Sequence, residues 1–424
     1  MRLFLHMAKM LNGLFGVCAI LSLTVGLAQP PQVKSIIPND PLFHRQFSYF
    51  NPVTTQVRFP STRAGRPDVD LSAQPDLDLN ITKAWAVTTG SRSTIVAILD
   101  DGFFYQHEDL RDNIWHNPGE TGTDASGRPK ESNGIDDDGN GFIDDVVGWD
   151  FAFNDPDPDA YVFDGMDRNR IQPFWHATTA MGIIGARGNN GIGVAGINWD
   201  TSMMLLKIGM QGTSRGEIDL QRKVRAARAI RYAVDNRARV INWSGFVEDK
   251  RLADLRELKD AFDYAEQREV LIILAAGNSS VDLDLPANAG YPESFTNRNI
   301  IRVAEINFEG DLDRNSGRDR ISGSNFGRHS VEIAAIARNY TTWVRNGLST
   351  YDLAGGTSSS APVVTGVAAL VFSVRPDLTA EQVKKILLDS ARRLPALEGK
   401  LVSGGIIDAY AAVTTALKFN RSAR

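Results

Sequence analysis

Continuous apolar runs alternate with helix-spaced apolar stripes along this chain from residue 94 onward. The runs are short: TIVAILD (94–100), MMLLKIG (203–209), RVINWS (239–244), VLIILAAGN (270–278) and NIIRVAEI (299–306). Uninterrupted runs of this length suit strands covered on both faces, as in a parallel sheet. Between them the pattern turns helical. Residues 217–236 carry Ile218, Val224, Ala227, Ile230 and Ala233 among arginines, and residues 251–268 carry Leu252, Leu255, Leu258, Phe262 and Ala265. Further helices are expected over 359–374, 379–393 and 409–417. Strands alternating with such helices predict right-handed crossovers and a doubly wound α/β domain, its sheet mostly parallel with helices on both faces.

The first 80 residues read differently. Arg2 and Lys9 precede an apolar run from Leu11 to Leu27, with the small residues Gly26 and Ala28 at its end. That is the layout of a secretory signal peptide over residues 1–28. The competing reading is a membrane anchor, but Asn12 and Gly13 break the run and a spanning helix wants about 20 apolar residues. A lipoprotein box before Cys18 is opposed by Val17, where a small residue is needed. Residues 29–80 are rich in Pro, Asp and polar groups with little periodicity, and read as an extended arm. One large domain over 81–424 follows, with an acidic insertion at about 112–170.

Composition changes this picture little. Of 424 residues, 42% are hydrophobic and 23% charged, which excludes wholesale disorder. The net charge of −5 becomes −7 once Arg2 and Lys9 are removed, and argues against a nucleic-acid partner. Cys18 is the only cysteine and lies in the apolar leader. A mature chain would then have no disulfide, thiolate metal site or cysteine nucleophile. An exported protein without disulfides needs another source of durability, such as bound metal.

Candidate chemistry gathers where apolar runs end, since functional groups in an open parallel sheet lie beyond the carboxyl ends of its strands. Asp100 closes VAILD and is either a cap or a functional acid. His176 opens HATTAMGIIGA at an expected helix start, although a lone histidine is usually a satisfied surface or core residue. Ser358 lies in GGTSSSAPVVTG at a helix mouth, where its N–H is unpaired beside the positive end of the dipole. An N-cap serine is the simpler reading there. Asn278 ends LAAGN and is either a turn residue or a side-chain donor to an oxyanion. Together the four supply an acid, an imidazole, an oxyanion donor and a nucleophile, as acyl transfer requires.

These motifs resemble those of the subtilisin family of serine peptidases. VAILDDG matches its acid motif, HATTAMGI its histidine motif, LAAGN its oxyanion motif and GTSSSAP its serine motif. The likeness runs from about Ile81 to about Val413 and includes INWSG, YPESF, SGSNFG and GGIIDAYAAV. It implies a three-layer α/β fold with a seven-stranded, mostly parallel sheet. It also implies a secreted or periplasmic endopeptidase acting through Asp100, His176 and Ser358, with Asn278 at the oxyanion. Protein or peptide substrate would lie as an extra strand in a groove bordered by Ser244, Gly245 and Gly277. A monomer without stable membrane association after leader removal is expected.

Departures from the family pattern matter too. The usual His-Gly-Thr-His reads His-Ala-Thr-Thr here, so Ala177 adds a methyl expected near the cleft and Thr179 replaces the second histidine. Gly245 and Phe246 stand where a leucine and a glycine often line the groove, and AAIA (334–337) replaces Ala-Ala-Pro-Gly. Asp101 after Asp100 is similar to the kexin branch, whose dibasic specificity is not carried over because no second β domain follows. About 50 residues separate Ala28 from Ile81, leaving no recognisable prodomain.

Two stretches suggest structural Ca²⁺. Asp109 and Asn190 match family positions that bind an ion, with carbonyls of Gly188, Ile192 and Val194 completing an all-oxygen shell. A further ligand is expected from the N-terminal arm. Separately, Asp136, Asp138, Asn140 and Asp144 resemble half an EF-hand loop with Gly141 at the sharp turn. Val147 stands where the closing bidentate Glu belongs, so an ordinary EF-hand is ruled out. Polar loops without metal are the simpler reading of both. Beyond an active peptidase, the alternatives are an inactive relative that binds peptides and a calcium-loaded adhesive protein.

Overall fold

Valine, isoleucine and leucine fill the middle of each apolar run, and such residues fit the pleated surface of a central strand. The computed structural model describes residues 34–53, 55–59, 69–160, 175–209, 215–245, 255–314, 323–336 and 338–420. The apolar leader and Phe246 lie outside these residues, as does the start of the helix expected from 251. The described residues from Ser35 onward form one compact unit.

An antiparallel ribbon, β1 (Thr55–Phe59) and β2 (Val69–Ala73), precedes α1 (Ile81–Trp85). Then come β3 (Gly90–Asp100), β4 (Gly148–Asp150), α2 (His176–Gly185), β5 (Asp200–Lys207), α3 (Arg215–Asp235) and β6 (Val240–Trp243). They are followed by α4 (Arg256–Gln267), β7 (Leu271–Ala275), β8 (Ile300–Ile306) and β9 (Ile333–Ile336). A hairpin of β10 (Asn339–Arg345) and β11 (Leu348–Ala354) leads straight into α5 (Thr357–Val374). The chain closes with α6 (Ala380–Asp389), β12 (Arg392–Arg393), β13 (Gly405–Ile406) and α7 (Ala409–Lys418).

The main sheet has nine strands in the order β12-β13-β9-β8-β7-β6-β3-β5-β4. Every neighbouring pair is parallel except β12 with β13. Seven strands from β9 to β4 match the implied sheet, and two-residue strands extend it at one edge. The winding reverses at β3, which lies between β5 and β6, so the crevice of this open sheet opens at the end of β3.

Alternation along the strands makes three layers. Leu271 and Ile273 of β7 are buried in one cluster with Val363, Val367 and Leu370 of α5. Ile272 and Leu274 face the other way, into a cluster with Ile230 of α3 and Phe262 of α4. Each such side chain contributes about 1.5–3 kcal/mol by leaving water. Helix α5 is apolar around most of its circumference because sheet and helices cover it on nearly all sides. Phe43, Tyr49 and Leu79 from the N-terminal stretch join Trp85 in the same core.

Two helix ends differ from expectation. Helix α6 begins after Thr379 with a reciprocal Thr379–Gln382 capping box but stops at Asp389, short of 393. Arg392 and Arg393 instead pair with Ile406 and Gly405, and that pairing takes them out of the helix. Helix α5 starts at Thr357 rather than 359, because Gly356, at φ 87°, is its N-cap. The capping role read as the alternative for Ser358 is therefore filled by Gly356.

Candidate active site and cation sites

Asp100 is the last residue of β3, and the strand's register carries its side chain to the crevice end of the sheet. His176 is the first residue of α2. Its Nδ1 donates to Asp100 Oδ1 at 2.8 Å and lies 2.9 Å from Oδ2, so the carboxylate brackets one ring nitrogen. The Asp101 N–H also donates to Asp100 Oδ1 at 2.8 Å, holding the acid in place. Asp100 is 5% exposed. Burial pulls the His176 pKa down, but the charge and hydrogen bond of Asp100 outweigh it and raise the pKa to about 9. Asp101 adds to that rise, and the Arg222 cation opposes it.

Ser358 stands in the first turn of α5, where N–H groups lack intrahelical acceptors. Its hydroxyl donates to the Ser244 carbonyl at 3.1 Å, and the Ser244 hydroxyl donates to the Ser358 carbonyl at 3.1 Å. A hydroxyl has one proton, so engaging His176 requires Ser358 to turn away from that carbonyl. Asn278 follows β7 by three residues. Its Oδ1 accepts both the Thr357 N–H at 2.9 Å and the Thr357 hydroxyl at 3.1 Å. With that end occupied, the amide N–H₂ becomes the donor left for the crevice. Gly356 is favoured by its backbone, since its φ is positive at 87°.

The groove residues assemble on the same side. Ser244 is bonded to Ser358 as described, and a Cβ on Gly245 would lie 2.7 Å from Trp243 Nε1. The Gly277 N–H is already given to the Thr357 hydroxyl at 3.1 Å, so Gly277 offers shape more than a free donor. Thr357, which links Asn278, Gly277 and the serine helix, was not singled out from the sequence. No motif reading shows which neighbour of a nucleophile holds the oxyanion amide.

The departures at the histidine motif prove to be internal. The Ala177 methyl is fully buried in a cluster with Val96, Ile98 and Met181, away from the cleft where it was expected. Thr179 donates to the His176 carbonyl at 2.8 Å, an ordinary in-helix bond.

At the first candidate cation site, Asp109 is fully buried and its pKa is pushed up to about 7 by burial. Asp109 accepts from Asn190 Nδ2 at 2.9 Å and from the Val194 N–H at 2.9 Å. From the arm, Asp40 comes close enough for its charge to act on Asp109. Its Oδ2 accepts the Asn189 N–H at 2.7 Å, while its buried Oδ1 has no partner among the described residues. Its charge raises the Asp109 pKa further. Two crowded, desolvated carboxylates with an orphaned oxygen fit a bound cation.

At the second site a further carboxylate joins Asp136 and Asp138. Carboxylate oxygens of Glu120, Asp136 and Asp138 lie within 4.8 Å of one another. Glu120, which no loop motif includes, is fully buried, and its Oε2 has no partner among the described residues. Asp144 instead accepts the Gly134 N–H with both oxygens, at 3.1 and 3.2 Å. Asn140 is spent inside the loop, accepting from the Phe142 N–H at 2.7 Å and donating to Asp145 at 2.9 Å. Asn140 also stays beside the cluster, its N–H donating to Asp136 and Asp138 at 3.1 Å each. Glu120, Asp136 and Asp138 form a carboxylate cluster that could hold a cation.

Residues 91–411 match the family model described as the Subtilase family. The chain is 32% identical over 343 residues to Subtilisin-like protease 1 of Plasmodium falciparum, covering 78% of this chain and 44% of that protein. It is 29% identical over 419 residues to an Extracellular protease of Xanthomonas campestris pv. campestris, covering 92% of this chain and 61% of that protein. The chain thus spans about half the length of the curated relatives it matches. A solved protease from Pseudoalteromonas arctica superposes with a TM-score of 0.60 at 25% identity, over 89% of this chain and 99% of that one. The fold is the three-layer α/β architecture of such proteases. With the family model matching three quarters of its length, this chain belongs to the subtilase family.

Proposed function

We propose that this protein is an exported serine endopeptidase whose triad is Asp100, His176 and Ser358. The observation that carries the reading is the Asp100 carboxylate bracketing His176 Nδ1 at 2.8 and 2.9 Å. That bond leaves Nε2 as the nitrogen that accepts a proton, the tautomer a general base needs. Ser358 then attacks the substrate carbonyl as His176 takes its proton. The tetrahedral oxyanion is held by the Ser358 N–H and the Asn278 amide. His176 returns the proton to the leaving amine, and water repeats the sequence on the acyl-enzyme.

Peptide substrate lies extended along Ser244 and Gly245 in this reading, adding a strand. Calcium at Asp40, Asp109 and Asn190 and at Glu120, Asp136 and Asp138 would neutralise buried charge and brace loops, with no part in bond cleavage. Export through the 1–28 leader, to the periplasm or beyond, agrees with the name of the Xanthomonas relative.

A fluorophosphonate probe tests the chemistry. It should label Ser358 in folded protein, and casein cleavage should vanish in Ser358→Ala. Folded protein that resists the probe would instead support the inactive, peptide-binding reading.

A further inference from the structure

Of the seven tryptophans, five are buried: Trp85, Trp115, Trp149, Trp199 and Trp243. Trp175 and Trp343 alone keep open surface. They stack on each other, with ring centroids 4.2 Å apart and planes at 13°. Trp175 is the residue immediately before His176, and its ring centroid lies 6.0 Å from the imidazole. These partly exposed, stacked indoles set a flat apolar surface beside the imidazole of His176.

The platform is held rigidly. Trp343 belongs to β10, and its neighbour Thr342 donates to the Thr178 carbonyl of α2 at 2.7 Å. Gly182 permits that approach, since a Cβ there would fall 2.1 Å from the Thr342 hydroxyl. The strand that carries Trp343 is thus packed directly on the helix that His176 opens.

We infer that the Trp175–Trp343 stack is the wall of a substrate subsite on the leaving-group side of the cut, selecting an aromatic or large aliphatic side chain. This rests on the peptidase reading above. His176 must protonate the leaving amine, which places that nitrogen within about 3 Å of the imidazole. The side chain that follows the scissile bond branches from the next atom, within reach of an indole 6.0 Å from the ring. Flat aromatic walls favour large apolar partners over small or charged ones.

Quenched-fluorescence peptides that differ only in the residue after the cut (Phe, Leu, Ala or Asp) test this. Active-site concentrations are set by fluorophosphonate titration. Wild-type protein should show kcat/KM for Phe and Leu about tenfold above Ala. That ratio should fall to near one in Trp343→Ala and stay high in Trp343→Phe. Labelling confirms that each variant is folded, and if Trp343→Ala fails to label, Trp343→Leu and Trp343→Phe carry the comparison. A flat wild-type profile in protein that labels, or a ratio unmoved by substitution, overturns the inference. Wild-type protein that neither labels nor cleaves overturns the peptidase reading itself, a separable outcome.

Discussion

Arg222 Nη2 lies 2.9 Å from Asp101 Oδ1, so a cation from α3 is clamped to the acid that follows Asp100. This pair acts on His176 in opposite senses. The Asp101 anion raises the imidazole pKa and the Arg222 cation lowers it, after Asp100 has set the main rise.

The first prediction concerns pH. Only neutral His176 can take a proton, and its pKa is raised to about 9. Activity should therefore climb through the alkaline range, with the acidic limb of kcat/KM well above the ordinary histidine value of 6.5. Asp101→Asn removes an anion and leaves Arg222 uncompensated, so the limb should move to lower pH. A limb at 6.5 or below in the wild type, or an upward move in the variant, would contradict this account.

A second prediction follows from Thr357. Asn278→Ala should lower kcat by about 10²–10³ with less effect on KM. Thr357→Val keeps the backbone donor to Asn278 but deletes the hydroxyl that fixes Oδ1 and accepts the Gly277 N–H. A loss of about tenfold in kcat is expected, with destabilisation of about 1–3 kcal/mol from the orphaned donor. Equal activity in Thr357→Val and wild type would show that the hydroxyl does not position the amide.

The third concerns stability alone. Lys207 Nζ meets Asp150 at 2.7 Å, with 2% and 1% of the two side chains exposed, and also donates to the Asp159 carbonyl at 2.9 Å. Lys207→Met leaves a buried carboxylate without its counter-charge and should destabilise by about 3–5 kcal/mol. Adding Asp150→Leu should recover part of that loss. Denaturant melts of the single and double variants measure both, and additive losses would refute the coupling.

Removing calcium is the fourth test. A chelator should lower the melting temperature by several degrees, as expected when a ligand present at about 100 times its Kd contributes near 2.7 kcal/mol. Asp109→Asn and Glu120→Gln should each shrink that shift, because they answer to different sites. A melting temperature indifferent to chelator would remove both cation assignments.

How much of this was legible beforehand depended on whether partners were neighbours in sequence. Asp100, Asn278 and Ser358 could be picked out because each interrupts or borders a long apolar run. The strand and helix order followed from the same contrast. Glu120 and Asp40 could not be found that way, since each meets its carboxylate partners only when separate loops converge. For Asp144 and Asn140 the alternate spacing was legible but the hydrogen-bond partners were not: Asp144 accepts the Gly134 N–H and Asn140 the Phe142 N–H. The β10–β11 hairpin had a usable signal in Asn346-Gly347, both at positive φ between alternating runs, and it went unread. The stacking of Trp343 on Trp175 had none.

Helix α5 also sets an order along the growing chain. It carries Ser358 at its mouth, and its flanks are sealed by strands β3, β6, β7, β8 and β9, all made earlier in synthesis. Asp100 and His176 are both synthesised well before Ser358. Of the three proposed triad residues, Ser358 therefore comes last, on a helix whose packing partners in the sheet already precede it in the chain.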